Sequence, residues 1–224
     1  MDASAGACSV ALLRGGATLG YLRRDMTHGH AAVLPPMIRQ LMDEAGCRFS
    51  SLHIVAATVG PGSFTGVRVA LAAARGIALA VGCPCIGVTS LGAIAAAAVY
   101  PGRLLVALDT RRGDVYGQVF DAGAATGAPF LADAVTIAAQ CGGPIAGIAG
   151  DGIAIVAAAL AESVERLPIL APDAVAVGAL AARKWAARDL AGSASADRIW
   201  PTAVPLYLRA PEVSLPSLPV GPVS

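Results

Sequence analysis

Apolar positions along the chain fall into short runs and helical stripes that alternate twice. Cys8 to Leu13 and Leu19 to Leu22 are β-compatible runs around Arg14-Gly15-Gly16, which predicts a hairpin. After a loop through His28 and His30, Pro35-Pro36 opens a helix in which Leu34, Ile38, Leu41 and Ala45 share one stripe and Gly46 takes the C-cap region. Leu52 to Val59 is almost continuously apolar, as in a strand buried on both faces. Gly60-Pro61-Gly62-Ser63 then turns the chain, and Ser63 is placed to cap a helix from Phe64 to about Val81. Gly82 and Pro84 end it. Cys85 to Val88 reads as the next parallel strand, with Ser90 capping an alanine-rich helix.

The sequence then repeats itself in kind. Leu104 to Leu108 and Val115 to Phe120 form a hairpin about Arg111 to Asp114, Ile145 to Ala149 a short strand ending at Asp151-Gly152, followed by a helix to Ser163 and another from about Asp173 to Leu190. Two related α/β lobes are expected, residues 1–101 and 102–210, with a mobile Pro-rich tail over 211–224.

Composition narrows the class. Of 224 residues, 56% are hydrophobic and only 14% charged, so a substantial core is assured and the surface is poor in charge; part of that surface is expected to be covered by another protein. Arg68, Arg75 and several glycines interrupt the longest apolar stretches, which argues against a membrane span. No basic stretch precedes an apolar segment at the N-terminus, and the five cysteines are scattered, so a cytoplasmic, reduced protein is expected. A net charge of +1 without a basic run gives little reason for autonomous nucleic-acid binding.

The chemistry-bearing groups are individually weak. Gly60 to Gly66 lies between a strand and a helix, where amides and the helix dipole suit a phosphate, yet the lysine of a P-loop is missing and a plain connecting turn is favoured. Asp2-Ala3-Ser4 and Asp109-Thr110-Arg111 suit phosphate or Mg²⁺ handling across a cleft, although turn capping is the commoner role. Asp25, His28 and His30 offer metal donors without helical pairing. Cys83-Pro84-Cys85 lacks the spacing of a metal or redox pair, and Ser63 lacks the first glycine of GxSxG. Arg112 and Asp114 fit either a turn ion pair or a ligand contact.

Val59 to Arg68 (VGPGSFTGVR), continued through Ala74 to Ala80 and Ile86 to Leu91, resembles the signature region of the TsaB (YeaZ) family. His30 with Leu34 to Ile38, Leu105 to Tyr116, Gly150-Asp151-Gly152 and Pro205 to Arg209 extend the likeness in order over nearly the whole chain. The resemblance implies an actin-like ATPase (ASKHA) fold, α/β with two ribonuclease-H-like lobes and mixed sheets. It also implies a non-catalytic subunit, without cofactor or metal, of the complex that makes threonylcarbamoyladenosine on tRNA. Such a subunit binds and activates a TsaD-like transferase, works with a TsaE-like ATPase, forms a homodimer when alone and meets tRNA only through the complex.

The HxxxH metal pair of TsaD corresponds here to Ser90 and Ile94, neither able to replace an imidazole. Three departures from the family pattern stand out: one residue precedes Asp2 where relatives carry a strand, the HSE stretch reads His30-Ala31-Ala32, and Gly92 replaces a glutamate. The alternatives are an independent ATP-dependent sugar-kinase-like enzyme, a metallopeptidase-like protein, or a nucleotide-binding regulator. Helical spacing assigns Gly66, Ala70, Ala73 and Ile77 to the core and Phe64, Arg68, Leu71, Arg75 and Leu79 to an outer arc. Either the preceding helix covers this arc within the monomer, or, as the resemblance favours, the arc forms with Leu34, Ile38 and Leu41 of that helix the expected interface for a TsaD-like partner or a second copy of the chain.

Overall fold

The computed structural model describes residues 1–160, 163–190 and 203–209. Strands β1 (Asp2–Ala5), β2 (Ala7–Arg14) and β3 (Ala17–Asp25) form an antiparallel meander. Helix α1 (His30–Glu44), β4 (Val55–Thr58), α2 (Phe64–Val81) and β5 (Cys85–Val88) follow, with β4 and β5 parallel. The Met1 amine donates to the Ala56 carbonyl at 2.8 Å and the Thr58 amide to the Met1 carbonyl at 3.2 Å, joining the pieces in the order β3-β2-β1-β4-β5.

Helix α3 (Ser90–Ala98) leads to the second sheet, built from β6 (Arg103–Asp109), β7 (Val115–Asp121), β8 (Ala124–Ala125) and β9 (Phe130–Ala132). It is completed by α4 (Ile137–Cys141), β10 (Gly147–Ala149), α5 (Ile153–Val156) and β11 (Glu165–Arg166), and α6 (Ala174–Leu190) ends the described helices. Its order, β9-β7-β6-β10-β11 with β8 also on β7, repeats the first: a meander whose leading strand is flanked by a parallel pair. This doubled topology is the actin-like ATPase arrangement.

Local chemistry accounts for the element ends. Ser63 Oγ accepts from the Gly66 amide at 3.2 Å to start α2, and Gly82 stops it in the left-handed conformation (φ 72°). The buried stripe of α2 holds Gly66, Ala70, Ala74 and Ala78, small enough for β1 to pass close beneath. A Cβ at Gly66 would stand 1.8 Å from the Ala3 carbonyl oxygen. Composition and length alone would let α2 cross a membrane, but its inner stripe packs on β1 and β4. In β6, Leu105 and Ala107 join the cluster with Ile153 and Val156 of the α5 segment, while Leu104, Val106 and Leu108 face Leu91 and Ile94 of α3.

Several expectations need correction. α1 begins at His30, because the chain tolerates Pro35 and Pro36 inside it. The long apolar run from Leu52 contributes only Val55–Thr58 to the sheet, a 3-10 turn occupying Phe49–Ser51. Thr89, not Ser90, caps α3, its Oγ1 accepting from the Gly92 amide at 3.1 Å. The short strands β8, β9 and β11 carry too few residues to show a period. Helix α6 packs on β2, β4 and β5 of the first sheet, although its position in the chain groups it with the second half. The tail over 211–224 lies outside the described residues.

The outer arc is only half as expected. Leu71 is 2% exposed and, with Leu34, Ile38 and Leu41, belongs to the cluster between α1, α2 and the sheet. Residue 71 lies close to Val67 and Ala74 around the helix, so the inner stripe is wider than the small-residue ridge suggests. Phe64 and Leu79, at 51% and 86% exposure, remain outside with Arg68, while Arg75 is half-buried.

Candidate functional site: the cleft between the two sheets

A cleft of about 680 Å³ opens where corresponding turns of the two sheets face one another. The turn after β1 contributes Ser4 to Gly6, the strand-to-helix loop Pro61 to Phe64, and the start of α1 His30. Opposite stand Asp109 to Arg112 from the turn after β6, with Asp151. Leu206 to Arg209 closes a third side.

Behind the first wall lies a sealed polar network. Asp2 Oδ1 accepts from the Ser4 amide at 3.0 Å, from Ser4 Oγ at 2.7 Å and from Thr58 Oγ1 at 2.7 Å. Ser4 Oγ in turn lies 3.0 Å from Ser90 Oγ. Burial pushes the Asp2 carboxyl above its ordinary value even though Thr58 and Ser4 favour its charged form. The glycine loop is also spoken for: the Ser63 amide donates to the Ser4 carbonyl at 2.8 Å, and a Cβ at Gly62 would lie 2.4 Å from that same oxygen. These glycines are explained by close packing on β1, which leaves the loop with fewer free amides than a phosphate cradle employs.

The second wall is charged and internally paired. Asp109 accepts from the Arg111 amide at 2.6 Å and from its guanidinium at 2.9 Å, and Asp151 accepts from the Asp109 amide at 2.9 Å and from Arg111 at 3.0 Å. Burial raises the Asp151 carboxyl. Asp114 is held below the usual carboxylate range by hydrogen bonds from Thr110 and then Arg209. Gly150 and Gly152 pack on the Ala107 carbonyl much as Gly62 and Gly66 pack on β1.

The 203–209 segment is tied down by side chains whose roles the sequence did not disclose. Arg209 pairs with Asp114, Arg75 donates to the Ala203 carbonyl, and the Leu206 amide donates to the Val59 carbonyl at 2.7 Å. Arg68 Nε donates to Tyr207 Oη at 3.0 Å while its guanidinium lies 3.7 Å over the Phe64 ring. Phe64, Arg68 and Tyr207 thus form a stacked, exposed cluster at the mouth of the cleft. The aromatic-Leu-Arg run near the end of the chain was the available signal.

The metal-donor grouping of Asp25, His28 and His30 is not assembled: Asp25 pairs with Arg23, His28 Nδ1 lies 2.9 Å from Thr27 Oγ1, and His30 is buried at the start of α1. Ser90 and Ile94 are both buried, the first in the Asp2 network and the second in the apolar cluster against β6. Among the described residues no group of three or more His, Cys, Asp or Glu is placed to hold a metal ion. Cys83 and Cys85 are half-buried free thiols raised by burial.

Residues 20–197 match the family model described as TsaD, tRNA N6-adenosine threonylcarbamoyltransferase. The chain is 34% identical over 119 residues to the tRNA threonylcarbamoyladenosine biosynthesis protein TsaB of Escherichia coli K12, covering 52% of this chain and 51% of that protein. It thus spans about half the length of that relative. An uncharacterized protein of Mycobacterium tuberculosis H37Rv is 33% identical over 184 residues, 82% of this chain and 76% of its own. The solved structure of YeaZ from Pseudomonas aeruginosa superposes with a TM-score of 0.74 at 31% identity, covering 92% of this chain and 97% of that one.

Proposed function

The chain belongs to the TsaB (YeaZ) family, within the wider TsaD family, and from that premise we propose that it acts in tRNA threonylcarbamoyladenosine biosynthesis as a non-catalytic subunit. In this reading it binds and activates a TsaD-like transferase, assisted by a TsaE-like ATPase. It self-associates in the absence of that partner, meets tRNA only through the complex and resides in the cytoplasm. One observation carries the non-catalytic part. At the two positions that the family resemblance matches to the HxxxH ligands of the transferase stand Ser90, locked against Ser4, and Ile94, packed among Leu104, Val106 and Leu108. A metal-bound transferase needs imidazoles at a solvent-reachable place, and neither side chain supplies one.

The docking surface follows from α2. Leu34, Ile38, Leu41 and Leu71 support it from within, and Phe64, Arg68 and Leu79 present it outward with part of Arg75. α2 thus presents an exposed aromatic and arginine cluster at its start and an exposed leucine in its last turn, and aromatic and arginine side chains are enriched at interface centres. Reconstitution tests the whole reading: the chain alone should neither retain a transition metal nor modify tRNA, and should stimulate a TsaD-like protein supplied with TsaE. Modification by the chain alone would overturn it. Leu79→Glu should weaken TsaD binding by about 2 kcal/mol, the scale of a hot-spot loss. A nucleotide-binding reading draws on the cleft with Arg68, Arg111, Arg112 and Arg209 on its walls. Titration calorimetry with ATP on the isolated chain separates it from the scaffold reading.

A further inference from the structure

Two helices begin on the cleft, and they differ in how their first amides are used. α2 starts behind Ser63, whose Oγ accepts from the Gly66 amide at 3.2 Å, and the Ser63 amide itself donates to the Ser4 carbonyl at 2.8 Å. α1 starts behind Gly29, which has no side chain to cap it, and its first turn carries no acidic residue. That turn closes when the Ala32 and Val33 amides donate to the Gly29 carbonyl, so the His30 and Ala31 amides stand ahead of the helical ladder. With the dipole of a 15-residue helix behind them, they form the positive end that the glycine loop does not offer.

Side chains supply a second observation. Among the described residues three buried side-chain nitrogens have no hydrogen-bond partner, His30 Nε2, Arg75 Nε and Arg209 Nε, and both His30 and Arg209 line the cleft. His30 is 7% exposed. A buried donor left unmade is costly, and native structures seldom keep one without a use. Arg209 already gives a terminal nitrogen to Asp114, so Nε is the part of its fork still open. The charge on the walls agrees. Arg68, Arg111, Arg112 and Arg209 line the cleft with Asp109 and Asp151, an excess of two positive charges that Asp114, paired with Arg209, brings to one.

We propose that the cleft binds a compact oxyanion, a carboxylate or a phosphate, seated at the start of α1 on the His30 and Ala31 amides and His30 Nε2, with Arg209 as its counter-charge. An oxyanion accepts from every one of these groups, and it selects the imidazole tautomer that carries the proton on Nε2. A cation is repelled by the same helix terminus. A nucleoside triphosphate fits poorly, because its phosphate chain needs the amides of the Gly60 to Ser63 loop and the Ser63 amide is committed to β1. The volume of about 680 Å³ leaves room for a small organic body attached to the anion, beside the exposed rings of Phe64 and Tyr207. The inference goes beyond the subunit reading and does not rest on it.

The test titrates the full chain with acetate, benzoate, inorganic phosphate, phenyl phosphate and ATP at constant ionic strength, with sodium chloride as the blank, and follows amide and imidazole nitrogen resonances. At least one of the small anions should give saturable shifts at the His30 and Ala31 amides and the His30 ring, with none at the exposed rings of His28 and His53. His30→Phe removes the donor and keeps a ring of similar volume, and should weaken binding about tenfold or more, the scale of a charge-assisted hydrogen bond. Tighter binding of benzoate or phenyl phosphate than of acetate or inorganic phosphate identifies an organic acid or phosphomonoester as the occupant, and equal binding identifies the free ion. Shifts that do not saturate, or that chloride reproduces, overturn the proposal, since ordinary water then fills the space. ATP binding that moves the amides of Gly60 to Phe64 instead of those of α1 overturns it in favour of a nucleotide site. Should His30→Phe fail to fold, saturation in the unaltered chain still decides.

Discussion

Replacing Leu71 by alanine separates the two faces of α2 more cleanly than any other single change. The side chain is 2% exposed and lies in the cluster shared with Leu34, Ile38 and Leu41, while its helix neighbours on the buried stripe are Val67, stiff and already buried, and Ala74, too short to fill a void. Leucine-to-alanine changes at such sites cost about 2–5 kcal/mol, the upper half applying where the surroundings cannot collapse. α2 is held on β1 by the close approach at Gly66, so it has little freedom to settle inward, and about 3–4 kcal/mol is expected. Leu79→Ala, at a position 86% exposed, should change stability by no more than about 0.5 kcal/mol. Urea unfolding of both variants, with the slope checked for constancy, measures the difference. A loss below about 1 kcal/mol for Leu71→Ala, or equal losses at the two sites, would refute the assignment of faces and return Leu71 to the surface.

Three further outcomes follow from buried charge and polar groups. The Met1 amine is lowered by burial from 8.0 to about 6, so between those values the unfolded chain binds more protons and stability rises with pH; the gain approaches about 3 kcal/mol by pH 8. Nα-acetylation, which leaves no group to titrate there, should flatten that rise in pH-dependent unfolding, and an unchanged slope would show that the amine is solvated. Thr58→Val removes one of the three donors to Asp2 Oδ1 at nearly constant volume and should cost about 1–3 kcal/mol by thermal or chemical unfolding. Arg209→Met frees Asp114 and should speed proteolysis and amide exchange over 203–209 without moving the global transition by more than about 1 kcal/mol. A simultaneous loss of the whole fold would mean that the segment is part of the global unit.

What the sequence disclosed of the fold depended on how strongly each element is dictated locally. Helix α2 was legible to the residue because a serine cap, eighteen positions of strong pattern and a left-handed glycine all act within its own length. Helix α1 was misplaced by five residues because proline is a strong local signal, and tertiary packing of Leu34, Met37 and Ile38 outweighs it. The two-residue strands β8 and β11 exist only because β7 and β10 offer them an edge, so nothing within such short segments could announce them. The destination of α6 is likewise a matter of topology: its stripe says that it is covered, not by which sheet.

The cleft shows the same division between local and assembled information. Asp2, Gly60 to Ser63, Asp109 and Asp151 were each visible as turn residues of polar character, because turn chemistry is local. Their convergence was carried only by the repeat of the hairpin pattern, since two similar lobes place corresponding turns face to face. Roles built from distant pairs were out of reach: Asp114 acquires its low carboxyl from Thr110 and Arg209, and Arg75 reaches Ala203 far along the chain. The misreading of Leu71 has the same origin. A helical wheel fixes which residues share a face but not how wide the buried arc is, and here α1 and the sheet both lean on α2, widening it from the small residues to Leu71. Leu79 escapes because it lies on the far side of that arc, in the last turn of the helix. A large apolar side chain kept in water at that place adds nothing to the core, and it belongs to the surface proposed above for a partner.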